Sequence, residues 1–158
     1  MSNMVNRFKT TSMEQIVKLA LPILEDGRSV KFTVVGNSMS PIFCNNRDRV
    51  TVKKADKIKK YDVILYRRDD GDYVLHRVVG KGKLGYKLCG DNQLVVEYPV
   101  RAENIIAVMT SFERNGKEVD AHRLWYRVYS IVWCLSISFR PLEYKILRCF
   151  KKIFKRSK

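Results

Sequence analysis

This sequence predicts a mainly β domain, with one helix before it and helical segments after it. Three observations carry that expectation. Short segments between residues 30 and 110 alternate apolar and polar side chains with period two. Turn-forming pairs such as Asp70-Gly71 and Asn115-Gly116 stand between or beyond them. Helical spacing of apolar residues is confined to the two ends of the chain.

The elements follow in order. Residues 1–11 show no sustained pattern and are expected to be weakly held. Thr11, Ser12 and Glu14 supply capping chemistry for a helix over about 12–24, with Ile16, Leu19, Ala20, Ile23 and Leu24 on its apolar face. Asp26-Gly27 ends it. Residues 30–34, 49–52, 63–66, 73–79, 85–89 and 105–109 read as strands. In the fourth of these, Val74, His76 and Val78 share one face. Asp69-Asp70-Gly71 and Asn115-Gly116 read as tight turns. Three regions result: an N-terminal segment over 1–29, a β domain over 30–120 and a basic segment over 121–158.

Charge is distributed unevenly. The 158 residues carry 31 Lys and Arg against 16 Asp and Glu, a formal net charge of +15. Residues 121–158 hold ten of those bases and one acid, Glu143. Within that segment, residues 124–139 are mostly apolar but short of the roughly 20 needed to span a bilayer. Pro141 can open a further helix, with Leu142, Ile146, Cys149, Phe150 and Ile153 along one stripe. Such a layout suits an in-plane helix on an anionic membrane surface. It equally suits a helix packed on the domain with a solvated cationic end. No nucleic-acid recognition motif accompanies the charge, so no specific nucleic-acid partner is expected. The N-terminal apolar stretch is interrupted by Lys18, Glu25 and Asp26, which argues against a signal peptide or a span. A peripheral membrane or cytoplasmic location is therefore expected.

The four cysteines, Cys44, Cys89, Cys134 and Cys149, form no CxxC pair, and there are two histidines. Neither a metal site nor a cofactor is expected from that inventory. The cysteines read as small apolar residues in a reduced setting.

Three short stretches carry candidate chemistry. Ser38 lies in Gly36-Asn37-Ser38-Met39-Ser40-Pro41, after a strand. His76 lies inside an apolar strand, and Asp91 in Gly90-Asp91-Asn92. A hydroxyl is a poor nucleophile until a neighbouring base takes its proton and a third group orients that base. Taken singly, these are an ordinary turn serine, a core histidine and a turn aspartate. Taken in order they match a Ser-His-Asp set, with Glu97 a competing carboxylate. Asp48 and Asp62, which open strands, read as structural. The serine segment is not a GxSxG elbow, because Ser40 occupies the last glycine position.

Together the stretches resemble the type I signal peptidases, in the endoplasmic-reticulum, archaeal and sporulating-bacterium branch that uses histidine as base. Ser38-Met39-Ser40-Pro41 is similar to that family's nucleophile box, and His76-Arg77-Val78 to its base box. Gly90-Asp91-Asn92 is similar to its third box, and Tyr61-Asp62-Val63-Ile64-Leu65-Tyr66 more loosely to a conserved strand. The resemblance covers about residues 30–110. It implies coiled antiparallel sheets of the signal peptidase and LexA-like catalytic fold. It implies a serine endopeptidase that cleaves signal or leader peptides after small residues. Ser38 would be the nucleophile, His76 the base, and Asp91 the orienting carboxylate. Some members place that carboxylate six residues further on, at Glu97. Gly36 stands where some members carry a hydroxyl, so Asn37 and backbone groups around Gly36, Ser38 and Met39 would bind the oxyanion and substrate. The family's usual transmembrane anchor is not expected here, and the basic segment over 121–158 could replace it as a peripheral anchor. The rival expectation is a peptide-binding module on the same fold that no longer cuts.

Overall fold

The computed structural model describes residues 13–55 and 57–137. Its elements are α1 (Met13–Glu25), β1 (Ser29–Thr33), β2 (Arg49–Lys53), β3 (Val63–Arg67), β4 (Tyr73–Gly82), β5 (Gly85–Cys89), β6 (Glu97–Val100), β7 (Ile105–Arg114), β8 (Lys117–Asp120) and α2 (Leu124–Ser136). The protein is mainly β: one antiparallel sheet of eight strands with two helices. The order is β1-β2-β7-β3-β4-β5-β6, and β8 also pairs with β7.

Strand β7 joins the two halves of the sheet. Its C-terminal part pairs with β2 and β8, and its N-terminal part with β3. The turn into β8 is Asn115-Gly116, both at positive φ (51° and 73°), as a two-residue hairpin turn requires. The Asp69-Asp70-Gly71 turn joins β3 to β4, with Gly71 at φ 97°. Strand β6 was not expected from the sequence. It has four residues, contains Pro99 and pairs only through β5, which suits an edge strand.

Alternation along β3 separates two cores. Val63 and Leu65 join the larger cluster, with Phe32, Val34, Met39, Phe43, Val50 and Phe112. Ile64 and Tyr66 join the smaller one, with Val78, Leu88 and Val100. Helix α1 covers the larger core through Val17, Ala20 and Leu24. Each such aliphatic side chain contributes roughly 1.5–3 kcal/mol when fully buried. Leu19, expected on that face, is instead 73% exposed. Val17 is buried in its stead, while Ala20 and Leu24 stay covered, so the buried face is turned by less than one residue from the anticipated stripe.

Helix α2 meets the larger core through Tyr126, while its Ser130 is also buried. The proposed cap at Thr11-Ser12 and the stripe from Leu142 to Ile153 lie outside the described residues. Among the described residues, no helix is long and apolar enough to cross a membrane. Cys89 is buried and Cys44 and Cys134 are half-buried, in keeping with small apolar residues.

Asp48 and Asp62 do hold loops. Asp48 is fully buried and accepts from the Cys44 backbone (2.9 Å), Arg47 (2.8 and 3.0 Å) and Arg114 (3.2 Å). Burial pushes its carboxyl up, but those donors outweigh burial and hold it below the usual value. Asp62 accepts from the Lys59 backbone (2.8 Å).

Candidate active site

Ser38 sits in the turn that leaves β1. Gly36 is at φ 92°, a conformation that favours glycine, and its N–H donates to Asn45 Oδ1 at 3.0 Å. Met39 and Phe43 are buried in the larger core, and Phe43 N donates to Met39 O at 3.0 Å. The turn is thus pinned on both sides of Ser38, which is itself half-buried. Ser38 lines a small apolar cleft with Val34, Val35, Tyr73, Val74 and Leu75.

The Gly90-Asp91-Asn92 segment meets this turn through its backbone. Asn92 N donates to Ser38 O at 2.8 Å, and Asn92 Nδ2 donates to Asn37 O at 3.2 Å. Arg77 of β4 pairs with Cys89 of β5, so Gly90, the next residue, comes across from His76. Partners across an antiparallel pair point to the same face. A Cβ on Gly90 would lie 2.6 Å from Ser38 O. Ser38 therefore rests above Gly90, on the face of the sheet to which His76 points.

His76 occupies the centre of β4, opposite Ile64, and is fully buried. Its Nδ1 lies 3.2 Å from Glu97 Oε1 and 3.2 Å from Tyr66 Oη. Tyr66 Oη donates to Glu97 Oε2 at 2.6 Å, and Arg68 Nε to the same oxygen at 2.9 Å. A second Arg68 nitrogen donates to Oε1. A carboxylate at Nδ1 fixes the proton on that nitrogen and leaves the Nε2 lone pair available. Nε2 is buried without a hydrogen-bond partner among the described residues, Ser38 included. Burial lowers the imidazole pKa to about 4, against the opposing pull of the Glu97 charge. The ring is therefore neutral at pH 7, as a proton acceptor must be. Burial also pushes Glu97 up, but the Arg68 and Tyr66 hydrogen bonds prevail and hold it ionised.

Asp91 is placed differently from the sequence expectation. Its carboxylate is gripped by Arg77, Nε to Oδ1 at 2.8 Å and a terminal nitrogen to Oδ2 at 2.6 Å. Alternation along β4 sets Arg77 on the face opposite His76. There the fully buried guanidinium also donates to Ser130 Oγ (2.7 Å) and Tyr61 O (3.1 Å). It lies 5.5 and 5.7 Å from the ring centroids of Tyr126 and Tyr129. Tyr129 Oη donates to Asp91 Oδ2 (3.2 Å) and Trp133 Nε1 to Asp91 O (2.8 Å). Of the two carboxylates expected to orient the imidazole, Glu97 reaches Nδ1, and Asp91 ties α2 to the loop that supports Ser38.

Sequence reasoning missed Tyr66, Arg68 and the structural weight of Arg77. Tyr66 and Arg68 follow the same two-residue period as His76, but only the strand register shows that they converge on Glu97. Among the described residues, no group of His, Cys, Asp and Glu is arranged to hold a metal ion. Chemically, the site offers a neutral imidazole with one nitrogen near a carboxylate, and a serine whose backbone is held and whose side chain borders an apolar cleft. No protein-family model matches the chain, and a search of curated proteins returns no match to it.

Proposed function

We propose that this protein is a serine endopeptidase acting on the signal or leader peptides of exported precursors, on a signal peptidase-like catalytic fold. The observation that carries the proposal is the state of His76. Its Nδ1 is held by Glu97, while its buried Nε2 is unpartnered among the described residues, on the face where Ser38 rests. A buried nitrogen without a partner is destabilising by roughly 1–3 kcal/mol, and an incoming hydroxyl relieves that penalty.

In this mechanism Ser38 turns its hydroxyl to Nε2 as the substrate binds. Oγ attacks the scissile carbonyl carbon, its proton passes to Nε2, and the Glu97 charge stabilises the imidazolium. Backbone N–H groups of the Asn37–Met39 turn stabilise the oxyanion. The imidazolium then protonates the leaving amine, and water releases the acyl group by the same route in reverse. Strand β1 is the outer strand of the sheet, so an extended peptide can add beside it by main-chain pairing. The cleft of Val34, Val35, Val74 and Leu75 takes the side chain before the cut, and its small size selects small residues.

Ser38→Ala in the purified protein tests the reading. Cleavage of an exported precursor is expected to stop, and undiminished turnover overturns the proposal. The absence of an Nε2–Ser38 hydrogen bond supports a second reading, a binding module that does not cut. A fluorophosphonate probe separates the two: Ser38-dependent labelling excludes the binding module.

A further inference from the structure

Helix α2 has two unlike faces. Its inner face carries Tyr126, Tyr129, Ser130 and Trp133, all engaged with Arg77 or Asp91. Its outer face presents Leu124, Val128, Val132 and Leu135, which are 78%, 50%, 59% and 62% exposed. Their spacing puts them on one stripe, and a contiguous aliphatic stripe left in water marks an interaction surface.

We propose that this stripe docks in the plane of an anionic lipid bilayer. The inference stands apart from the peptidase reading. Three features select lipid as the occupant. Arg127 borders the stripe, pairs with Asp62 at 3.9 Å and lines a cleft with Lys57 and Lys59. Three bases around one acid leave that cleft cationic, which suits anionic headgroups. The chain continues beyond the described residues for 21 more, which include eight Lys and Arg and one acid. A second copy of this chain would bring another +15 against the first, which opposes self-association.

The two faces give docking a structural consequence. Asp91 is fixed to the inner face, and the following residue, Asn92, holds Ser38 O at 2.8 Å. Bilayer binding through α2 therefore sets the orientation of the Ser38 turn relative to the membrane, with no rearrangement of the helix.

The test is co-sedimentation of the full chain with vesicles of phosphatidylcholine containing about 25 mol% phosphatidylserine, at about 0.1 M salt. The wild type is expected to sediment with these vesicles and far less with pure phosphatidylcholine. The double substitution Val128→Glu and Leu135→Glu is expected to weaken partitioning by about 100-fold, with an unchanged melting temperature because both side chains are exposed. Wild-type protein remaining in the supernatant overturns the proposal, as does a variant that partitions equally well. A wild-type dimer that the variant turns into a monomer in sedimentation velocity also overturns it, in favour of self-association.

Discussion

Replacing Glu97 by Gln removes one negative charge while keeping the shape of the side chain. The charge lies 3.2 Å from His76 Nδ1, where it stabilises an imidazolium by about 5 kcal/mol at an effective dielectric constant of about 20. Arg68 bonds the same carboxylate and offsets part of that field. If half survives, the barrier to proton transfer rises by about 2.5 kcal/mol, a rate loss approaching 100-fold. The amide also presents an N–H to Nδ1 in one of its orientations, which favours the wrong tautomer and raises the expected loss towards 10,000-fold. The assay needs no natural substrate: the second-order rate of fluorophosphonate labelling at Ser38 reports activation of the hydroxyl. Asp91→Asn is the control, because it weakens the Arg77 clamp and leaves the Nδ1 contact in place. The expected pattern is a labelling rate at least 100-fold lower for Glu97→Gln, and a lowered melting temperature for Asp91→Asn. Equal labelling of wild type and Glu97→Gln refutes the assignment of Glu97.

Acid should destabilise the fold through His76. Its folded pKa is about 4, below the unfolded value of about 6.5, so its contribution is intact above about 6.5. That stability is lost as pH falls towards 4, by about 3 kcal/mol. Urea denaturation between these limits should show a shallower pH slope for His76→Gln, and identical slopes would exclude the assignment. Arg77→Met leaves the buried Asp91 carboxylate without its cation and should lower stability by about 3–5 kcal/mol; a loss below about 1 kcal/mol by urea denaturation would contradict it. Gly90→Ala places a Cβ 2.6 Å from Ser38 O and should displace the Ser38 turn. Labelling at Ser38 is expected to fall by at least about tenfold, with a destabilisation of about 1–3 kcal/mol; an unaltered rate would show that the turn does not depend on this contact.

The strands were legible wherever burial on one face imprinted an alternating pattern, as in β2, whose residues run exposed, buried, partly buried, buried, exposed. Strand β3 was legible for a different reason: four consecutive buried residues form an apolar run bounded by turns. Strand β6 was not legible, because four residues containing a proline carry no pattern of their own. The face of α1 was misjudged by Leu19 because its apolar residues surround most of the helix, and the sheet decides which of them are covered. At the site, the period-two rule correctly placed His76 with Val74 and Val78. Applied one residue further, it sends Arg77 to the other face, and a buried guanidinium needs a carboxylate there. That was the available signal that Asp91 belongs to Arg77. Nothing local to Glu97 announced its role, because the Tyr66, Arg68 and Glu97 cluster spans 31 positions and exists only through the pairing of β3 with β4 and of β5 with β6.

The dependence of the sheet on β7 has a consequence during synthesis. Strands β2 and β3 are neighbours in the chain, yet each pairs with β7 and not with the other. A nascent polypeptide that has not yet produced Ile105–Arg114 consequently holds a β1–β2 hairpin and a β3-to-β6 meander as separate pieces. Each has a border strand, Arg49–Lys53 or Val63–Arg67, open to other chains. Release at that length would invite aggregation, so productive assembly waits on the emergence of a single ten-residue segment.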